Sequence, residues 1–232
     1  MSALKRIIKK IPVLGAISIA AIDFLKGRKF KGSAQYWEER YAAGGNSGSG
    51  SYNKLAEYKA EVLNRFVKEN NIQKVMEFGC GDGNQLLLGQ YPQYIGLDVS
   101  PTAIQLCMNK FQSDKTKSFY LYQSLAFNDN QKIFQADLTL SLDVLYHLIE
   151  EEIFNAYLTH LFSATTKFVI IYAGDFEKGQ DFHEKDRKFT TRVEKNFPKW
   201  KLINKIENPF RNAANLEDKS KADFYFYKKQ DN

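Results

Sequence analysis

"KVMEFGCGDGNQLLLGQ", Lys74–Gln90, decides how this chain folds. Val75–Phe78 is a short apolar run carrying one acid, Glu77, and predicts a strand. It leads into Gly79-Cys80-Gly81-Asp82-Gly83, and from Asn84 onward a helix can start. A strand, a glycine turn and a helix let backbone come close to a ligand near a helix N-terminus. A dinucleotide fingerprint would need its third glycine at position 84, where this chain has Asn84. Here the glycines alternate at 79, 81 and 83, after the acid at 77.

The flanks complete a repeating pattern. Upstream, Asn53–Asn70 carries Leu55, Tyr58, Val62, Phe66 and Val67 at helical spacing. Downstream, "YIGLDVSPTAI" predicts a second strand ending in Asp98, 21 residues after Glu77. An acid there can hold a ribose diol through two hydroxyl-to-carboxylate hydrogen bonds. "KSFYLYQ" predicts a third strand, "ADLTLSLDVLYHL" a longer fourth and "KFVIIYA" an apolar fifth, with a helix over Glu150–Phe162. "KLINKIEN" and "KADFYFYKK" alternate, as a closing antiparallel pair would. The expected fold is α/β, a doubly wound, mostly parallel Rossmann-like sheet with a C-terminal antiparallel strand pair. Ligands bind such sheets beyond the carboxyl ends of the strands. Glu77, Gly79, Asp98 and Asp143 all fall at or near those ends.

"EFGCGDG" and "GLDVS" resemble the glycine motif and second-strand acid of class I S-adenosylmethionine-dependent methyltransferases. More specifically, the chain from Tyr36 onward is similar to bacterial methyltransferases associated with cell-surface polysaccharide synthesis. The stretches that carry this are "YWEERYAAGGNSGSGSYNKLAEYKAEVLN", "LSLDVLYHLIE", "HEKDRKFT" and "ADFYFYKK". The resemblance implies that S-adenosyl-L-methionine is the cofactor and S-adenosyl-L-homocysteine the product. Gly79, Gly81 and Gly83 would pass beneath the cofactor, Glu77 would help hold the methionyl ammonium, and Asp98 the ribose. Asp143, Trp37, Arg40 and Tyr41 would complete the cofactor side.

Methyl transfer needs acceptor, methyl carbon and sulfur in line, away from water. A hydroxyl acceptor also benefits from a base. His147 follows the fourth strand, where the superfamily presents acceptor-side groups, and a neutral imidazole there can take a proton. A bond to backbone at a helix start explains the same histidine without chemistry. Tyr146 stands beside it on the acceptor side, and His183 with Arg187 would form a clamp for a phosphate or sugar acid. Glu184 and Asp186 interrupt that basic run, and a charged surface loop explains it equally well. His160 reads as packing or solvent-facing. No Cys/His/acid spacing suggests a metal. The Asn/Asp-Pro-Pro-aromatic box of base-methylating enzymes is also missing after the fourth strand.

The expected activity is O-methylation of a sugar or sugar-phosphate precursor of a surface glycan. Its competitors are a methyltransferase of another small metabolite or lipid-linked acceptor, and a non-catalytic cofactor-binding partner module. Charge argues against nucleic acid. The chain carries +6, but residues 1–31 hold eight basic residues and one acid, so residues 32–232 carry −1. That N-terminal segment brackets an apolar run, Ile11–Ile22, too short for a span of ~20 residues. It reads either as a helix packed on the methyltransferase domain, 32–232, or as an interfacial helix making peripheral contact with anionic lipid through residues 4–31. A secretory signal has a similar shape. Two cysteines, Cys80 and Cys107, read as reduced thiols of a cytoplasmic protein, peripheral at the inner face of the membrane if the segment binds lipid. "YAAGGNSGSGSY", Tyr41–Tyr52, separates no two cores, so within residues 32–52 it reads as a lid over the site rather than a linker.

Overall fold

The strand-glycine-strand unit builds the centre of a seven-stranded sheet. The computed structural model describes residues 30–230. The strands are β1 (Lys74–Phe78), β2 (Gln93–Asp98), β3 (Lys117–Leu121), β4 (Ala136–Leu142), β5 (Thr165–Ala173), β6 (Trp200–Ile206) and β7 (Asp223–Lys229). Their order is β3-β2-β1-β4-β5-β7-β6. The first five run parallel, and β7 pairs antiparallel with both β5 and β6. The chain leaves β1 toward β2 on one side and returns to β4 on the other. The order therefore reverses between β1 and β4, and a crevice opens at their carboxyl ends.

Among the described residues, five helices accompany the sheet: α1 (Ser33–Ala42), α2 (Asn53–Glu69), α3 (Pro101–Lys110), α4 (Glu151–Ser163) and α5 (Phe189–Asn196). Buried residues form two clusters. One includes Phe78, Phe154, Leu161 and Val169; the other includes Leu63, Val75, Leu140 and Phe224. The apolar run of β5 is buried from Phe168 to Ala173, because it lies inside the sheet with layers on both faces. α3 starts on a Ser100 cap whose Oγ accepts from Ala103 N at 3.0 Å, with Pro101 in the first turn. Glu38 of α1 accepts from Thr102 N at 3.1 Å and Thr102 Oγ1 at 2.6 Å, and so ties α1 to the start of α3.

Four expectations are corrected. The helix expected from Asn84 is one short 3₁₀ turn, Gln85–Leu88, ended by Gly89 and the chain's return into β2. β4 stops at Leu142, and "LYH" forms a 3₁₀ turn instead of more strand. β7 does not alternate: Asp223–Tyr227 is buried throughout, because Phe224 and Phe226 pack into one buried cluster and Tyr225 and Tyr227 into the other. β6 itself is a largely exposed edge strand bearing Lys201 and Lys205, which discourage edge-to-edge pairing. α1 and α5 had no counterpart in the sequence reading. Except for Phe30 and Lys31, the basic segment lies outside the described residues, and with it the membrane-contact expectation. Among the described residues no helix is long and apolar enough to cross a membrane.

Candidate functional site

The glycine turn cannot be built from other residues. Gly79 has φ 85° and Gly81 φ 57°, the left-handed region. A Cβ on Gly79 would run into Val144, and one on Gly81 would collide with the Ser47 hydroxyl. Leu97 O accepts from Gly79 N at 2.7 Å and from Cys80 N at 3.0 Å, which binds the turn to β2. Gly83 faces elsewhere. A Cβ there would meet Cys107 Sγ and the Phe111 ring, so this glycine allows close packing of α3 and does not line the cavity.

Beyond the ends of β1, β2 and β4 the chain encloses a cavity of about 80 Å³. Its walls include Glu77, Gly79, Gly81, Asp98, Asp143 and His147, and α1 adds Trp37 and Tyr41. Ligand pockets usually measure ~300–1,000 Å³, so some wall must retreat to admit a nucleoside.

Glu77 and Asp98 are both buried. Asp98 accepts from Gly81 N at 2.9 Å and Ser100 N at 2.9 Å, which fixes the carboxylate while leaving lone pairs for a ligand. Burial pushes its pKa up to about 6, against the lowering effect of those backbone bonds. Glu77 Oε2 accepts from the Tyr94 hydroxyl at 2.6 Å. Burial raises Glu77 to about 7, while Tyr94 and Lys59 pull it down. A carboxyl poised near neutrality beside a cavity suits a cationic ligand group, whose arrival would ionise it.

Lys59 escaped the sequence reading. It lies on the buried face of α2 with Leu55, Ala56 and Leu63, is fully buried, and reaches Asp143 Oδ2 at 2.7 Å. A lysine on an apolar stripe is the signal that could have found it. Asp143 also accepts from the Tyr146 hydroxyl at 2.9 Å, and its backbone sits at φ 60°, strained for a non-glycine. Tyr146 therefore supports Asp143 and is not part of the cavity wall. Gln85 is another addition. Its Nε2 donates to Ala56 O at 3.0 Å, while its buried Oε1 has no partner and the side chain lines the cavity.

The Gly/Ser segment lies over this site. Ser47 N and the Tyr52 hydroxyl both donate to Asp82 Oδ2, at 3.0 and 2.7 Å. Asp82 N donates to Ser47 Oγ at 3.0 Å, and Asn84 Nδ2 to Ser51 O at 2.8 Å. Ser47 and Ser51 thereby become cavity wall. Arg40 does not line the cavity. Its Nε donates to Asn46 O at 2.6 Å and its guanidinium lies over Trp37, so it braces the segment from outside.

His147 is in the cavity wall, edge-on to Trp37 at 4.9 Å. Its Nδ1 is 3.2 Å from His183 O. A carbonyl can only accept, so Nδ1 carries the proton and Nε2 keeps its lone pair. Burial lowers the His147 pKa to about 4, leaving the ring neutral at pH 7. His183 stacks on Tyr36 at 4.5 Å and lies parallel to His147 at 5.4 Å, behind the cavity wall.

The anion clamp is corrected. Arg187 is buried, with Nη1 donating to Leu148 O at 2.7 Å, Nη2 to Ile149 O at 2.8 Å and Nε to Glu151 at 3.2 Å. It fastens the end of the His147 turn and has no place on the cavity wall. Lys185 and Arg192 also face Glu151, and Lys221 pairs with Glu184 and Asp186. One ligand atom each from His147, His183 and Glu184 lie within 4.8 Å of one another, a grouping that local spacing does not show. His160, on α4, is bonded through Nδ1 to the Tyr122 hydroxyl at 2.8 Å.

The sheet order, the glycine turn and the acids at the ends of β1 and β2 define a protein with the fold of S-adenosylmethionine-dependent methyltransferases. The solved structure of the N-methyltransferase NodS from Bradyrhizobium japonicum, in complex with S-adenosyl-L-homocysteine, matches 87% of this chain and 100% of its own. Its identity is 14% and its TM-score 0.67. The methyltransferase domain of a bacterial Hen1 protein matches at 21% identity over 75% of this chain and 97% of its own, with a TM-score of 0.58. Magnesium protoporphyrin IX methyltransferase from Synechocystis, with bound S-adenosyl-L-homocysteine, matches at 14% identity over 75% of this chain and 83% of its own, TM-score 0.56. No family model and no curated protein matches the sequence. At these identities the likeness establishes the fold.

Proposed function

We propose that residues 32–232 form a methyltransferase domain that uses S-adenosyl-L-methionine and O-methylates a sugar or sugar-phosphate precursor of a surface glycan. One observation carries the cofactor reading: the glycine turn Gly79–Gly81 and the buried carboxylates Glu77 and Asp98 wall a single cavity at the sheet's reversal point. The donor set fits the group. The left-handed glycines leave no Cβ between backbone and ligand, Asp98 can accept from a diol, and the orphaned Gln85 Oε1 awaits a donor. Bound there, the cofactor supplies an activated methyl group. Trp37 and Tyr41 cover it, and Ser47 and Ser51 close the lid that excludes water.

His147 stands toward the acceptor, with one ring nitrogen able to receive the hydroxyl proton as oxygen attacks. The glycan-precursor acceptor rests on the sequence resemblance, chiefly "LSLDVLYHLIE" and "ADFYFYKK". Residues 1–31 would hold the enzyme against anionic lipid at the cytoplasmic face, where lipid-linked precursors are assembled. The decisive experiment has two parts. S-Adenosyl-L-homocysteine should bind the full chain with one-to-one stoichiometry in a calorimetric titration. A panel of activated sugars and lipid-linked glycans should then be screened for conversion of cofactor to S-adenosyl-L-homocysteine. Binding without turnover on any member would favour a non-catalytic partner module; no binding would remove the cofactor reading.

A further inference from the structure

We infer that His147, His183 and Glu184 form a binding site for a divalent transition-metal ion at the acceptor end of the cavity. Two imidazoles and one carboxylate are the donors that such cations take when they keep coordination positions open. One ligand atom from each residue lies within 4.8 Å of the other two. Metal–nitrogen bonds of ~2.0–2.1 Å bring ligand atoms to roughly 3 Å apart. The three must therefore draw in by one or two ångströms.

The donors converge without satisfying one another. His183 Nε2 is 3.9 Å from Glu184 Oε1, beyond hydrogen-bond range. The two imidazole rings lie parallel, 5.4 Å apart. Yet each residue is already aimed by a second contact. His147 gives its Nδ1–H to His183 O at 3.2 Å, the kind of carbonyl contact that orients a ligating imidazole and fixes its tautomer. His183 is backed by the Tyr36 ring at 4.5 Å. Glu184 is held through Oε2 by Lys221 at 2.9 Å, which leaves Oε1 turned toward His183. Lys221 also pairs with Asp186 at 2.8 Å.

The position ties the ion to the cavity. His147 lines the cavity and the other two ligands stand behind it. An ion held there would fix the His147 ring from behind and so set the shape of the wall that an acceptor meets, a positioning role. This rests on the cavity being a methyl-transfer site.

The test uses the full chain, stripped with chelator and titrated calorimetrically with Zn²⁺, then with Co²⁺ while its visible absorption is followed. S-Adenosyl-L-homocysteine affinity is measured in parallel. The wild type should bind one equivalent, with the Co²⁺ spectrum of a nitrogen-ligated site. His183→Ala and Glu184→Gln should each weaken metal binding by about tenfold or more while keeping S-adenosyl-L-homocysteine affinity, which also shows that they fold. Absence of metal binding in a wild type that binds S-adenosyl-L-homocysteine overturns the metal site and leaves the methyltransferase reading standing. So does metal affinity that neither substitution changes. Metal binding without S-adenosyl-L-homocysteine binding supports the ion and sinks the methyl-transfer role.

Discussion

Replacing Asp82 with alanine should release the Gly/Ser segment. Four hydrogen bonds cross from that segment to the glycine turn, and two of them end on the Asp82 carboxylate, from Ser47 N at 3.0 Å and the Tyr52 hydroxyl at 2.7 Å. Burial alone would raise this carboxyl, but the bonds from Tyr52, Asn84 and Ser47 outweigh it and hold the group below its ordinary value. Bonds to a charged acceptor are worth roughly 1.5–3 kcal/mol each and neutral ones about 1 kcal/mol, so the four together contribute about 5–8 kcal/mol. Ordering the backbone of Gly44–Ser51 costs on the order of 10 kcal/mol at ~1–2 kcal/mol per residue. The two sides nearly cancel. The closed segment should therefore exchange with an open one, and ligand contacts should decide between them.

Water can replace part of what Asp82 accepts, so the substitution should shift the balance by about 2–4 kcal/mol. That corresponds to a roughly 30- to 700-fold larger open-to-closed ratio. Hydrogen exchange reads this directly. Amides of residues 47–52 should exchange faster in the variant, up to the rate of an unprotected amide, while those of Val169–Ile171 in buried β5 stay unchanged. In the wild type, protection of residues 37–52 should rise with cofactor and rise most with cofactor and acceptor together. Equal exchange of residues 47–52 in wild type and Asp82→Ala would refute the latch, because the bonds would then not be holding the segment. Equal exchange with and without ligand would leave a simple tether.

Asp98→Ala should weaken S-adenosyl-L-homocysteine binding about 10- to 150-fold, the loss of charge-assisted bonds worth roughly 1.5–3 kcal/mol, measured by titration calorimetry. Unchanged affinity in a folded variant takes Asp98 out of the site. Glu77 and Asp98 are raised by burial to about 7 and about 6, so their contribution to ligand-free stability should fall as pH rises from about 5 to about 7.5, while His147, lowered by burial to about 4, contributes in the opposite sense; comparison of melting temperatures with Glu77→Gln cancels the histidine, and the wild type should lose ground to that variant as pH rises. Cofactor should blunt that loss by drawing Glu77 into its ionised form beside the ammonium, and a wild type that gains on the variant across the window contradicts this account. Deleting residues 1–31 should reduce co-sedimentation with anionic vesicles and leave turnover intact; equal pelleting of the two proteins, or failure of the shorter one to fold, favours a segment packed on the domain.

The glycine-turn half of the candidate site was legible because it is local and its demands fall on residue type. Glu77, Gly79, Gly81 and Asp98 lie within one strand-turn-strand passage, and left-handed backbone at Gly79 and Gly81 admits little besides glycine. The acceptor half is assembled across long separations. His147 meets His183 from 36 positions away, Lys59 meets Asp143 from 84, and Ser47 meets Asp82 from 35. Nothing in local spacing announces such pairs, so the metal-type cluster was missed and the lysine passed as part of a helix face.

Arg187 shows the converse error. A cationic residue beside a histidine reads as an anion clamp, yet this one is bound to two main-chain carbonyls, Leu148 O and Ile149 O, that follow His147 directly. Main-chain carbonyls are the same at every position, so sequence cannot single out the ones a guanidinium will choose. The substitution therefore separates the readings by position rather than by charge. Losing Arg187 should disturb His147 through the turn it fastens, even for an uncharged acceptor, whereas a clamp would matter only for an anionic one.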